Sequence, residues 1–436
     1  MSDGLILNAV VMGLGMHPGA WRYGEGSAFS YTDIAYYQEI ARLSEAGRLH
    51  AIFLADTLAV SEENFERPNL GAMDPSIVLA ALAGETEHVG LVATASTTYN
   101  EPYNIARRFA TLDHLSHGRA AWNVVTTFVP DVAANFGDTV LPNHDDRYER
   151  ANEAVDIVKR LWASWEEEAL IGDKTSGIFA DGARVHAINH TGAHYSVRGP
   201  LTLPRSPQGW PVLFQAGSSE PGRELAARFA DVVFTAQNTI AAAQEFRADV
   251  RGRVEAKGRD PDSAKILPGL LPVLGGTEAE ACVRKDELDE LSGQAELKKL
   301  ALRVGVRVED LKLDEPMPVD LIEANKGFRG SRGFRNAAVR LANEEKLTVR
   351  EVLYRNGGGH KQIVGTPEQV ADLIETWHRE GAADGFNLMI DVLPSGLRDF
   401  VAQVVPLLQR RGVFQREYAG TTLRENLGLK NPSQKH

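Results

Sequence analysis

Residues 215–223 (QAGSSEPGR) carry an apolar run directly into small residues and then into a helix start. Free backbone N–H groups and the positive end of the helix dipole meet in such a turn, and both favour a phosphate. A plain N-cap by Ser218 or Ser219 accounts for the same spacing. The segment matches neither GxxxxGK(S/T) nor GxGxxG. Tyr148 carries a phenol suited to the same anion, although a tyrosine on an apolar stripe also serves as core. His186, His190 and His194 (HAINHTGAH) have the four-residue spacing that puts zinc ligands on one helical face. Asn189, Gly192 and the missing Glu of HExxH argue against both helix and metal, so no metal is expected. Residues 357–361 (GGGHK) follow no strand and read as a hinge rather than a phosphate loop. The basic run 326–335 (KGFRGSRGFR) suits a solvated face, an anionic substrate or a partner.

These residues need a scaffold, and composition limits what it is. The chain has 436 residues, 43% hydrophobic and 24% charged, which is ordinary for a globular protein with a full core. A formal net charge of -12 disfavours capture of nucleic acid or of an anionic membrane. Cys282 is the single cysteine and has no internal disulfide partner, so a reducing, cytoplasmic setting is expected. The opening residues (MSDGLILNAVVMGLG) lack a basic n-region, and no apolar stretch approaches the roughly 20 residues of a membrane helix.

Short apolar runs, each ending in a small or polar residue, recur at 51–56 (AIFLAD), 89–98 (VGLVATASTT), 120–127, 211–217 (PVLFQAG), 231–237 (DVVFTAQ) and 385–391 (GFNLMID). Unbroken runs of this length suit strands covered on both faces, as in a parallel sheet wrapped by helices. Residues 5–13 and 266–274 complete eight strands. Helices are expected at 32–47, with Thr32 as N-cap, and at 75–86, 219–229, 239–257, 367–381 and 397–411. The clearest helix has Tyr148, Ala151, Val155, Val158, Trp162 and Trp165 on one stripe.

Eight β/α units predict a closed (β/α)8 TIM barrel spanning residues 1–436 as one domain. Two insertions interrupt it. One, at about 166–208 after strand 4, is rich in Gly, His and Pro and reads as hairpins. The other, at about 277–361 after strand 7, is charged and helix-prone and reads as a lid over the active site. In such barrels the C-terminal strand ends form the active-site face. Asp56, Thr94, Asn123, Thr126, Thr127, Gly217 and Ser218 are candidates by that position, although some of them simply start turns.

Several separated motifs resemble one family. Residues 122–127 (WNVVTT), 135–137 (NFG), 144–148 (HDDRY), 215–217 (QAG) with Ser219 and 222–224, and 364–372 (VGTPEQVAD) are similar to bacterial-luciferase-like flavin monooxygenases. The branch is that of the nitrilotriacetate, dibenzothiophene sulfone and long-chain alkane monooxygenases, and the likeness runs from about residue 7 to 429. The resemblance implies a barrel that binds reduced FMN from a separate NAD(P)H:flavin reductase and reacts it with O2. A flavin hydroperoxide then passes one oxygen atom to a small organic substrate, an organosulfur or aminopolycarboxylate-like compound.

Carried over, Asp56, Thr94 and Asn123 lie near the isoalloxazine and ribityl chain, with Thr127 nearby and Gly217 in the turn below. His144, Tyr148, Ser218 and Ser219 hold the ribityl and phosphate end. His17 bonds the peroxide or the substrate, and Phe53, Phe128 and Phe234 supply apolar walls, each with core packing as its alternative. The alkane branch has a histidine where this chain has Phe128, which argues against an alkane substrate. A homodimer or homotetramer is implied. The alternative on the same barrel is a flavin- or deazaflavin-dependent hydride-transfer enzyme. A metal-dependent hydrolase is disfavoured, because the strands end in Asp, Thr, Asn and Gly rather than in histidine.

Overall fold

The computed structural model describes residues 4–432 apart from Glu25, 61–72, Phe128, Thr139, Arg329 and Gly358. Eight strands form the barrel: β1 (Ile6–Val11), β2 (Ala51–Leu54), β3 (Gly90–Ser96), β4 (Ala120–Val125), β5 (Val212–Gln215), β6 (Val232–Thr235), β7 (Lys265–Leu274) and β8 (Gly385–Met389). Each pairs in parallel with the next, and β8 returns to β1 with Asn8 opposite Asn387. Nearly every strand residue is buried, which is why the runs are apolar without alternation. Phe53, Val92, Val212, Phe214, Leu267 and Leu271 fill the interior as packed core.

The N-terminal end of the barrel is plugged by the chain's own tail. Helix Leu423–Asn426 starts at a capping box made by Thr422 and Glu425. Leu423, Leu427 and Leu429 join the interior cluster, and a Cβ added at Gly90 would stand 2.5 Å from Leu423 Cδ1. Chemistry is thereby confined to the opposite mouth.

Helix boundaries follow local capping. The first long helix is Ile34–Ala46, and Asp33 rather than Thr32 caps it, accepting from the Ala35 N–H at 3.0 Å. A carboxylate one residue along competes better for the free amides than a hydroxyl does. Helix His144–Trp162 is capped by Asn143 and carries Asp145 and Asp146 in its first turn. Helix Glu220–Phe229 is capped by Ser219. Among the described residues no helix is long and apolar enough to cross a membrane.

Between β4 and β5 lie two hairpins, Leu170–Asp173 with Ile178–Ala180 and His190–Thr191 with Ser196–Val197. After β7 the chain runs through helices Glu278–Ser292, Ala295–Val304, Val319–Ala324, Arg332–Glu345 and Val349–Arg355. Leu300, Val304, Ile322, Leu341, Val349 and Val352 give this stretch an apolar cluster of its own.

The expected hinge at GGGHK is instead part of a sheet. Asn356–Gly357 pairs antiparallel with the strand His360–Gly365, which runs parallel to the second half of β7. β6 leaves β7 at Pro268, so the remaining edge of β7 is free to be paired. The glycines concealed a strand whose partner lies about 90 residues earlier.

Candidate active site

The anion-suited turn is built as its residues predict. Ser219 Oγ accepts from the Gly222 N–H at 3.3 Å, and Glu220 and Pro221 open the helix. The Tyr148 hydroxyl reaches over from helix His144–Trp162. A Cβ added at Gly217 would lie 3.0 Å from that hydroxyl and 2.3 Å from Gln215 Nε2, and one at Gly222 would lie 3.1 Å from the hydroxyl. Only glycines leave this recess open. Ser218 Oγ stands 3.2 Å from Thr235 Oγ1, and Arg223 Nε donates to the Ser218 carbonyl at 3.1 Å. The His144 and Tyr148 rings are 4.9 Å apart, and His144 Nδ1 is 3.2 Å from Asp145 Oδ1.

Strand ends β2 to β5 carry a chain of oriented polar groups. The Thr94 hydroxyl donates to the Leu54 carbonyl at 2.8 Å and accepts from Asn123 Nδ2 at 3.0 Å. This fixes the Asn123 amide, whose Oδ1 is buried without a partner among the described residues, as is Gln215 Oε1. Buried acceptors of this kind call for a ligand or an ordered water. The Thr127 hydroxyl is 2.7 Å from Ser96 Oγ, and Arg147, which the sequence did not single out, donates to the Thr127 carbonyl.

Asp56 follows β2. Burial, with the nearby charge of Asp74, pushes its carboxyl up to about 6, against the Thr57 N–H and Arg108. It borders a cavity of about 200 Å³ that also exposes Asp74, Thr94, Asn100 and Arg108. Tyr99 and Phe136, stacked at 4.5 Å, form one wall.

The predicted apolar walls separate. Phe53 belongs to the barrel interior, edge-on to Phe214 and Phe234 at 5.8 and 5.7 Å. Phe234 stands higher and stacks on His360 at 5.2 Å, and His360 meets Phe334 edge-on at 5.1 Å. Phe128 lies outside the described residues. Sequence reasoning missed His360 and Phe334, and the aromatics within 326–335 were the one signal for them.

His17 is buried, and both of its ring nitrogens are used. Nδ1 accepts from the Gly19 N–H at 3.1 Å, which leaves Nε2 facing Asp289 Oδ1 at 3.0 Å. Asp289 also holds Lys285, and helix Glu278–Ser292 seals this corner. The three spaced histidines do not converge: His186 pairs with Glu166, His190 with Glu153, and the His194 N–H donates to Glu153.

An eight-stranded parallel barrel with its polar groups at the C-terminal mouth belongs to a broad class of enzymes, and the comparisons narrow it. Residues 12–384 match the family model of the luciferase-like monooxygenases, and the chain belongs to that family. Nitrilotriacetate monooxygenase component A of Aminobacter aminovorans is 46% identical over 435 residues, covering 96% of this chain and 95% of that protein. N-acetyl-S-(2-succino)cysteine monooxygenase of Bacillus subtilis (strain 168) is 43% identical, covering 98% and 97%. The solved structure of EDTA monooxygenase from Chelativorans sp. BNC1 superposes with a TM-score of 0.82 at 35% identity, covering 98% of this chain and 99% of that one. The chain is therefore a flavin-dependent monooxygenase, an enzyme that uses reduced flavin and O2.

Proposed function

We propose that the protein is the oxygenating component of a two-component system, taking reduced FMN from a separate NAD(P)H:flavin reductase and oxygenating a small organic substrate. One observation carries the choice of a phosphate-bearing flavin: the Tyr148 hydroxyl, the capped helix start at Ser219 and the glycine recess at Gly217 and Gly222 converge on one point. The fit extends along the strand ends. A ribityl chain offers hydroxyl donors, and Asn123 Oδ1 and Gln215 Oε1 are buried acceptors lacking them.

In this reading Tyr148, Ser218, Ser219 and Gly217 hold the phosphate end, with His144 behind Tyr148. Thr94, Asn123 and Thr127 orient the ribityl chain and ring, and Asp56 lies beside the ring. Bound reduced FMN supplies the electrons that activate O2, one atom of which goes to substrate and the other to water. The protein's share is to bind, orient and exclude water. Asp56 holds a proton on its carboxyl up to about pH 6, a reserve at the cavity wall. His17, with both nitrogens engaged by Gly19 and Asp289, positions the loop after β1. The names of the relatives point to carboxylated amines and sulfides as substrates. We further assign the protein to the cytoplasm and to a homodimer or homotetramer.

The test is anaerobic titration with reduced FMN, followed by stopped-flow mixing with oxygenated buffer. Saturable binding and an absorbing transient distinct from reduced and oxidised FMN are expected. Oxidation of bound flavin at the free-flavin rate would instead indicate the hydride-transfer enzyme.

A further inference from the structure

A lone cation stands at the far end of the aromatic ledge over the barrel mouth. Arg303 lies near the end of helix Ala295–Val304, and among the described residues its guanidinium makes no hydrogen bond and no ion pair. Its neighbours are rings and a glycine. The guanidinium carbon is 6.0 Å from the centre of the Phe334 ring. A Cβ added at Gly359 would lie 3.1 Å from Arg303 Nε and 2.7 Å from Phe334 Cδ1, so only a glycine lets the backbone pack this closely against both side chains. Phe334 leads edge-on to His360, and His360 stacks on Phe234 at the end of β6.

The surroundings do not compensate the charge. Burial pulls the Arg303 pKa down, and Glu296 opposes this only through space. His360 is neutral, its imidazole pushed down to about 3 by burial and by Arg303 itself, and among the described residues its Nδ1 is buried without a partner. An unpaired guanidinium beside apolar rings costs free energy in the empty protein. A ligand that brings the missing negative charge recovers that cost, and the planar guanidinium fork matches a carboxylate in two-point contact. Arg303 is partly exposed as a residue, while its guanidinium lies on the buried side against the Phe334 ring.

We propose that Arg303 is the substrate-anchoring residue of this enzyme and that its substrate bears a carboxylate docked on that guanidinium, with the oxidised atom directed past Phe334 and His360 toward the barrel mouth. The inference rests on the flavin monooxygenase reading and adds the substrate class to it. A flavin phosphate is the other anion within the site, because Gly333, next to Phe334, abuts Ser218: a Cβ there would be 3.0 Å from Ser218 Cβ. The test separates the two.

Equilibrium dialysis of the full chain, without flavin and again with FMN, uses nitrilotriacetate and N-acetyl-S-(2-succino)cysteine as carboxylate probes and dibenzothiophene sulfone as the neutral one. At least one carboxylate should bind the wild type tenfold or more tighter than the sulfone. Arg303→Met should abolish that preference, Arg303→Lys should keep part of it, and FMN affinity should stay within twofold in both. Because Arg303→Met removes an uncompensated charge, its Tm without ligand should rise by about 1–3 °C. A fall in Tm marks a structural arginine and overturns the proposal. So does wild-type carboxylate affinity in Arg303→Met, or a wild type that binds neither carboxylate. Loss of FMN rather than carboxylate binding in Arg303→Met assigns the guanidinium to the flavin phosphate. Failure of the wild type to bind FMN would strike the flavin reading alone, since the flavin-free dialysis stands apart from it.

Discussion

The two ends of the proposed active site are built in opposite ways. At one end, Tyr148, Gly217, Ser218 and Ser219 surround a recess made by a strand, a short turn and a helix start, with the turn contributed by nine consecutive residues, 215–223. At the other, Phe234, Arg303, Phe334 and His360 meet from four separate elements. The first end uses backbone amides and a helix dipole, which any chain passing from strand to helix presents, so it suits the part of a ligand that stays constant. The second combines Phe234 of β6 with side chains supplied by the stretch between β7 and β8. The contrast suggests a division of labour: cofactor held by the barrel, substrate chosen by the inserted helices.

The sharpest way to break this division is Gly217→Val. Its branched side chain must enter the space between Gln215 Nε2 and the Tyr148 hydroxyl. Overpacking of this kind costs about 2–3 kcal/mol, so FMN affinity should fall about 30- to 150-fold while carboxylate binding measured without flavin is unchanged. Fluorescence titration with FMN checks it, and wild-type affinity would move the phosphate elsewhere.

Milder changes sharpen the same end. Tyr148→Phe and Ser219→Ala should each weaken FMN binding by about 1 kcal/mol, roughly fivefold, if each removes one ordinary hydrogen bond. Ser219→Ala should also lower Tm, because its hydroxyl caps helix Glu220–Phe229. Tyr148→Phe leaves that cap intact, so the pair separates ligand contact from helix stability.

The smallest effect concerns Asp56. Its folded pKa lies above the ordinary carboxylate value, so the native state holds the proton more tightly than the unfolded chain does. Stability that is present below about pH 4 is lost as pH rises to about 6. Without flavin, Asp56→Asn should match the wild type near pH 4 and exceed it above pH 6, by on the order of 1 kcal/mol or less given its partial solvent access. Urea unfolding at pH 4.5 and pH 8 measures this. A difference between variant and wild type that is the same at both pH values would show that the strand-end carboxylate is not under strain.

Much of the barrel was legible because its signals are short-range. Continuous apolar runs such as 51–56 and 231–237 mark strands buried on both faces, and the Ser219 cap and Tyr148 stripe follow from spacings of three and four residues. The cap at Asp33 instead of Thr32 is an error of one residue, within the normal ambiguity of helix ends. The strand His360–Gly365 was not legible, since three glycines precede it and its partner edge exists only because the pairing of β6 with β7 stops at Pro268.

By itself, the sequence determined the eight-unit rhythm and the anion-suited turn, both of which depend on neighbours within a few residues. Tertiary structure alone decided that Phe53 packs inside the barrel while Phe234 stacks on His360, and that His17 is sealed by Asp289. It also decided that Arg303 stands beside the Phe334 ring. Each of these depends on contacts between elements far apart in the sequence. Such a contact is set by the competition among all the side chains packing there, and local propensity carries no record of it.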